Sequence, residues 1–219
     1  MLVITSTTTL VPDNPAAAYA AYRQAASAVF LAGTQGLKYK KDHYDLAVDL
    51  SKAGLTYIDE RADEIVIGAM TPLWQIKISQ AIQNFAGGAI SKAISDVADK
   101  NIQRYGTLGG VISSKAPFSV LLPILLSLHV DVQLQDKGCM SLDDYLHCPP
   151  MGELVTGISI AKEAVYTAYK AYRKLPVDEP YLVGAVAMRD DSWRIVVGGR
   201  PGLAAIARSA SEELTEKGM

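Results

Sequence analysis

The reading of this chain turns on Arg104-Tyr105-Gly106-Thr107-Leu108-Gly109-Gly110, which separates a helix-like run from an apolar one. A second glycine turn, Leu31-Ala32-Gly33-Thr34-Gln35-Gly36-Leu37, lies far upstream and follows an apolar run of its own. Glycine admits positive φ and lets backbones approach closely. Successive N–H groups in such turns form concavities that suit an anion such as a pyrophosphate. Taken singly, each turn is more often structural than phosphate-binding. Neither has the G-x-G-x-x-G or G-x-x-x-x-G-K-[ST] pattern. A dinucleotide held by this pair is therefore not held in the Rossmann manner.

The 219 residues are 49% hydrophobic and 20% charged, which fits an ordered globular chain with a substantial core. A net charge of −2 argues against nucleic acid as the main partner, because phosphate neutralisation needs a basic face. Lys38, Lys40 and Lys41 read as a solvated surface cluster. Met1-Leu2-Val3-Ile4-Thr5 has neither the basic start nor the cleavage site of a secretory leader. The longest apolar run, at 120–128, is broken by Pro123 and is too short to span a bilayer. These features predict a cytoplasmic protein without a membrane span. Cys139 and Cys148 fit no common metal-cluster spacing and read as free thiols.

Along the chain, Asn14 and Pro15 read as the cap and first residue of an alanine-rich helix over 16–28. Strands are predicted at 29–32 and 44–49, followed by a strand pair at 56–61 and 64–69. Thr71 reads as the cap of a further helix. Ile90, Ala93, Ile94 and Val97 recur at helical spacing. Residues 123–128 read as a buried helix, and 129–135 alternate as a strand, with Val130 and Val132 on one face and Asp131 and Gln133 on the other. Cys148-Pro149-Pro150 reads as a linker. Strands at 154–160, 182–188 and 192–197 and a helix over 202–216 follow. The last two strands are joined by Asp190-Asp191. The fold class is α+β. A small α/β unit covers 1–55, a larger α+β unit covers 56–150, and a short C-terminal α+β domain covers 151–219.

No constellation supplies acid–base or nucleophilic chemistry of its own. His43, His129 and His147 have no metal-ligand spacing, and no serine sits in a G-x-S-x-G elbow. No catalytic residue and no metal site are predicted. That pattern suits a chain whose cofactor carries the chemistry.

The order and spacing of these pieces resemble the FAD-binding subunit of molybdenum hydroxylases, the family of xanthine dehydrogenase, carbon monoxide dehydrogenase and aldehyde oxidoreductases. That family carries a first loop A-G-G-T/H-x-L, a second loop R-N-x-x-T-L/I-G-G-N/D, and a segment A-S-P-x-S-D leading into an apolar helix. Here the first is Ala32-Gly33-Thr34-Gln35-Gly36-Leu37 and the second is Thr107-Leu108-Gly109-Gly110-Val111. Ala116-Pro117-Phe118-Ser119-Val120 then leads into Leu121-Leu122-Pro123-Ile124-Leu125-Leu126. Ile67-Gly68-Ala69-Met70-Thr71-Pro72-Leu73, Gly152-Glu153-Leu154-Val155 and Tyr172-Arg173-Lys174-Leu175 resemble further family segments in the same order.

The resemblance implies a two-part FAD-binding domain of the PCMH type, with the C-terminal domain trimmed. It implies that the FAD pyrophosphate rests on Ala32, Gly33, Thr34, Gln35, Gly36 and Leu37 and on Thr107, Leu108, Gly109, Gly110 and Val111. It also implies a hydroxyl from Ser114 and a lysine, Lys174, near the flavin. The implied partners are a molybdopterin-binding large subunit and a [2Fe–2S] small subunit, with NAD as one possible acceptor. On this reading, Gly109→Val together with Gly110→Val removes flavin retention without unfolding the chain.

Four departures stand against the pattern. Thr34 replaces the second glycine of the first loop, and Val111 replaces the polar residue after Gly-Gly. Val120 replaces the aspartate, and Gln103-Arg104 replaces Arg-Asn. A side-chain hydrogen bond is worth roughly 0.5–1.5 kcal/mol, and more when charged. Losing two weakens flavin affinity by about one to three decades. The alternative these departures open is a flavin-free scaffold or assembly subunit that kept the fold.

Overall fold

The computed structural model describes residues 5–35, 42–176, 178–199 and 202–218. The first unit grows from the alanine-rich stretch. Asn14 is extended, and its side chain accepts from the Ala17 N–H at 2.8 Å. Helix α1 (Pro15–Gln24) therefore starts with the cap and proline read from the sequence. It packs on a parallel sheet of order β1-β3-β2, formed by β1 (Thr5–Leu10), β2 (Ala28–Leu31) and β3 (His43–Asp49). Leu46, Ala47 and Val48 of the central strand are buried. Leu46 and Val48 form a small core with Ala18, Leu50, Ala53, Leu55 and Leu154, and the Tyr22 and Phe30 rings stack beside it at 4.2 Å. β1 carries no sequence signal, because its threonines lie mostly exposed and show no hydrophobic alternation.

The second unit is an antiparallel sheet of order β4-β5-β8-β6-β7. Its strands are β4 (Ile58–Glu60), β5 (Glu64–Gly68), β6 (Val130–Leu134), β7 (Gly138–Ser141) and β8 (Val155–Ala161). Between β5 and β6 run α2 (Leu73–Ile78), α3 (Gln80–Asn84), α4 (Ala89–Ser95), α5 (Lys100–Tyr105), α6 (Leu108–Ser114) and α7 (Leu122–Ser127). Helix α8 (Leu142–His147) follows β7. The sheet and helices share one continuous core. In β6, Val130 and Val132 are buried and Asp131 is exposed, as the alternation predicts.

Two expectations change here. The linker expected at Cys148-Pro149-Pro150 does not end this unit. β8 lies beyond it, yet pairs with both β5 and β6 at the centre of the sheet. An apolar run signals a strand but does not name its partners. Thr71 does not cap α2. Its hydroxyl accepts from the Tyr57 N–H at 3.1 Å and donates to the Tyr57 carbonyl at 2.9 Å. Thr71 is fully buried, so its hydroxyl satisfies a strand entry rather than a helix start.

The C-terminal sheet has order β12-β11-β10-β9, built from β9 (Tyr166–Tyr172), β10 (Leu182–Arg189), β11 (Ser192–Gly198) and β12 (Ala205–Ile206). Asp190 and Asp191, at φ 46° and 61°, close the β10–β11 hairpin in the left-handed turn that suits two-residue loops. Helix α9 (Arg208–Lys217) starts later than the predicted residue 202, because β12 first pairs with β11. Every residue of α7 is buried, and α7 contacts both β10 and β11. A helix apolar all round belongs between two layers, and α7 joins the second unit to the third. Among the described residues no helix is long and apolar enough to cross a membrane.

Candidate functional site

β2 runs into the first glycine turn. Gly33 and Thr34 take φ 53° and 55°, so the chain reverses through two left-handed residues. Thr34 is exposed; its N–H donates to the Ala32 carbonyl, and the Gln35 side-chain amide donates to the Gly33 carbonyl at 3.2 Å. Gly36 and Leu37, the other two residues expected in this turn, lie outside the described residues.

The two glycine stretches meet. A Cβ on Gly33 would lie 2.2 Å from the Tyr105 carbonyl oxygen and 3.2 Å from Thr107 Cγ2. The first turn therefore seats directly on the chain between α5 and α6. On the other side, Gly110 faces the Ala32 carbonyl, with its Cβ position 3.8 Å away.

The second stretch is a helix start rather than a loop. Thr107 is extended, and its hydroxyl accepts from the Gly110 N–H at 3.2 Å, capping α6. Gly109 packs on the end of β5: its N–H donates to the Ala69 carbonyl at 2.8 Å, and an added Cβ would lie 2.8 Å from Ala69 Cβ. The Leu108 N–H donates to the Thr71 carbonyl at 3.1 Å, and the Val111 N–H to the Thr107 carbonyl at 3.0 Å. All four amides expected to cradle a pyrophosphate from this side thus have partners within the chain. The Ser114 hydroxyl likewise donates to the Val111 carbonyl at 3.0 Å. Gly109→Val with Gly110→Val consequently cannot separate binding from folding, since Gly109 has no room for a side chain.

Other groups complete this corner. Lys115 ends α6 at φ 47°, and its ammonium donates to the Tyr145 and Leu146 carbonyls at 2.9 Å each, tying α6 to α8. Burial lowers its pKa from the ordinary lysine value. The replacements are structural. Val120 is 6% exposed within the main core, and Val111 packs against that core. The Gln103 amide donates to the Val97 carbonyl at 2.6 Å, holding α5 to the preceding turn. Exposed Tyr105 carries the Arg104 guanidinium 5.7 Å from its ring centroid. Lys174 is not brought to the glycine turns. It lines a separate cleft with residues 95–98 and Lys100, and no described residue of either turn lines that cleft. Among the described residues no group of three or more His, Cys, Asp or Glu side chains is placed to hold a metal ion, and Cys139 and Cys148 are free and exposed.

A family model described as the FAD binding domain in molybdopterin dehydrogenase matches residues 5–162, which end just beyond β8 and include both glycine stretches. The chain belongs to this family. It is 29% identical over 175 residues to the uncharacterized protein YgfM of Escherichia coli K12, an alignment covering 78% of this chain and 66% of that protein. Its fold is that of carbon monoxide dehydrogenase from Hydrogenophaga pseudoflava, with TM-score 0.85 and 22% identity over 93% of this chain and 78% of that one. Quinoline 2-oxidoreductase from Pseudomonas putida 86 gives 0.83 at 18% identity, over 97% of this chain and 79% of that one.

FAD is the cofactor of this domain family, and the two sides of the corner differ in the polar groups they leave open. The turn at Gly33 and Thr34 is left-handed, with Thr34 exposed. The N-terminal turn of α6 is a wall beside it, with its amides already used. Thr34 stands where the family carries glycine, and a non-glycine residue in this conformation costs roughly 1–2 kcal/mol. Thr34→Gly relieves that cost but loosens the unfolded chain. The expected net result is a gain of up to about 1 kcal/mol in chemical denaturation. An unchanged or lower midpoint would show that the threonine side chain holds the turn.

Proposed function

We propose that this chain is the FAD-holding electron-transfer subunit of a molybdopterin-dependent hydroxylase or dehydrogenase complex. Its partners are a molybdopterin-binding large subunit and a [2Fe–2S] small subunit, its acceptor is a carrier such as NAD, and its compartment is the cytoplasm. Family membership over residues 5–162 carries this reading. The convergence of Gly33 on Tyr105 and Thr107 supports it, because it brings together the two segments expected at the pyrophosphate.

When bound, FAD accepts electrons singly from iron–sulfur centres and releases them in pairs. The chain's own residues bind and orient. Ala32, Gly33, Thr34 and Gln35 belong to the phosphate-facing turn. Thr107, Leu108, Gly109, Gly110 and Val111 form a fixed wall, whose internal hydrogen bonds hold it in one geometry before any ligand arrives.

A specific observation favours a second reading, a flavin-free scaffold. The amides of residues 108–111 are committed, and Val111 and Val120 belong to the core where the family carries polar groups. An absorption spectrum of the purified full chain, before and after incubation with FAD and removal of the excess, separates the two. Stoichiometric flavin bands are expected. A colourless protein after reconstitution, with native circular dichroism, would establish the scaffold instead.

A further inference from the structure

A cavity of about 380 Å³ opens between the start of β6, the hairpin of β10 and β11, and the start of α9. It shares no described residue with the glycine turns or with the Lys174 cleft. The second sheet separates it from the glycine turns. One end of that sheet, where Gly68 pairs with Gly157, leads to Ala69 beneath Gly109. At the other end Ile160 pairs with Ile65 and Val130, and His129 there borders the cavity.

Three arginines line the cavity, and two of them are matched by carboxylates. Arg189 has its Nε against the Glu163 carboxylate and its Nη1 on the His129 ring, 2.8 Å from Nε2. Arg208 donates to Asp143 Oδ2. Arg194 differs. It stands in register with Ala187, on the sheet face where Ala185 and Val196 are buried. Its single hydrogen bond to a described residue is long, from Nη1 to the Leu128 carbonyl at 3.3 Å, and no described carboxylate lies within ion-pair range. Burial, followed by the Arg189 charge, lowers its pKa from the ordinary arginine value. An arginine nevertheless stays charged at neutral pH. A half-buried cation without a counter-ion carries a desolvation cost that an entering anion offsets.

The charges select the ligand. Arg189 and Arg208 are offset by Glu163 and Asp143, which leaves one positive charge, at Arg194. Burial, followed by Arg189, lowers the His129 pKa, so this ring is neutral at pH 7 and adds none. One carboxylate matches one guanidinium and takes two parallel hydrogen bonds from it. Asp190 and Glu212 also line the cavity and are exposed, so they stand at its mouth. A second anionic group on the ligand would meet them there. Ala187, Trp193 and Ile206 supply the apolar wall that a short carbon chain requires.

We propose that this cavity binds a small organic acid through a single carboxylate, with Arg194 as its anchor and Arg208 beside it. The acidic mouth excludes dianions, and the volume limits the ligand to a small molecule.

Calorimetric titration of the full chain with butyrate, at neutral pH and constant ionic strength, tests this with and without excess FAD. Saturable one-to-one binding is expected in both conditions. Arg194→Gln should weaken it roughly tenfold or more. Arg208→Gln, at an exposed position, should also weaken it, because it leaves Asp143 without its partner; Lys52→Ala should have no effect. Unfolding midpoints show which variants keep the fold, and the exposed Arg208 variant keeps the test open should Arg194→Gln unfold. Succinate should bind more weakly than butyrate, and Asp190→Asn with Glu212→Gln should narrow that gap. Both positions are exposed, and asparagine tolerates the φ of 46° at residue 190. 4-Aminobutyrate identifies the ligand class: tighter binding than butyrate means an amino acid, equal binding means a simple acid, and either supports the site. Absence of saturable butyrate binding, wild-type affinity in a folded arginine variant, or succinate bound as tightly as butyrate overturns the proposal. So does loss of butyrate binding in excess FAD, which would place butyrate in the flavin site. A protein that takes no flavin still answers the butyrate titration, so the two readings fail separately.

Discussion

Gly33→Ala is expected to destabilise the protein by about 3 kcal/mol and to abolish flavin retention. The added Cβ would lie 2.2 Å from the Tyr105 carbonyl oxygen, a backbone atom that no rotamer change can move aside. Overpacking costs typically 1–3 kcal/mol, and alanine at φ 53° adds roughly 1–2 kcal/mol. The least costly relief is to lift the turn away from α5, which separates the two segments that form the corner. Gly110→Ala is the matched control. Its Cβ would meet the Thr107 hydroxyl at 3.0 Å and the Ala32 carbonyl at an ordinary van der Waals distance of 3.8 Å, and alanine favours the helix. That control should stay within about 1 kcal/mol of the parent. Denaturant midpoints and flavin-to-protein ratios of the two variants provide the check. A Gly33→Ala protein with the parent's midpoint would show that the two stretches do not touch.

The second large effect concerns the position where the family's aspartate is missing. Val120→Asp restores the family residue but should not restore a flavin contact. Val120 is 6% exposed and belongs to the main core with Leu121, Leu122 and Ile124. A carboxylate there is an uncompensated buried charge, a situation that costs on the order of 3–5 kcal/mol. The sign with pH follows from burial. Desolvation raises the folded carboxyl's pKa above its unfolded value near 4. The folded state then binds the extra proton, and the penalty grows as pH rises through that window. The variant should therefore lie closer to the parent at pH 4.5 than at pH 7.5 when unfolding midpoints are compared. A small, pH-independent difference, together with stronger flavin retention, would mean that position 120 faces the cofactor.

These two positions show where sequence was sufficient. Asn14 with Pro15, the Asp190-Asp191 hairpin and the alternating β6 are local devices, each encoded within a few residues of where it acts. The fold class and the glycine segments were legible for the same reason, because their order and spacing survive even where individual residues have changed. The threonine-rich β1 was not legible, since an exposed strand has no hydrophobic period to display. Thr71 looked like a helix cap because caps and buried hydrogen-bond bridges use the same hydroxyl. Lys174, which the resemblance implies near the flavin, lies beside residues 95–98 and Lys100, a placement set by how β9 lies against α4.

By itself, the sequence determined the α+β class, the family and the segments that form the candidate flavin corner. Composition, periodicity and motif order are properties of the chain alone. Only the tertiary structure decided that β8 completes the second sheet and that residues 108–111 spend their amides internally. Each of these depends on which distant backbone atom a group meets. Pairing of that kind is settled by the packing of the whole core, where every buried polar group must find a partner or bear the cost of having none.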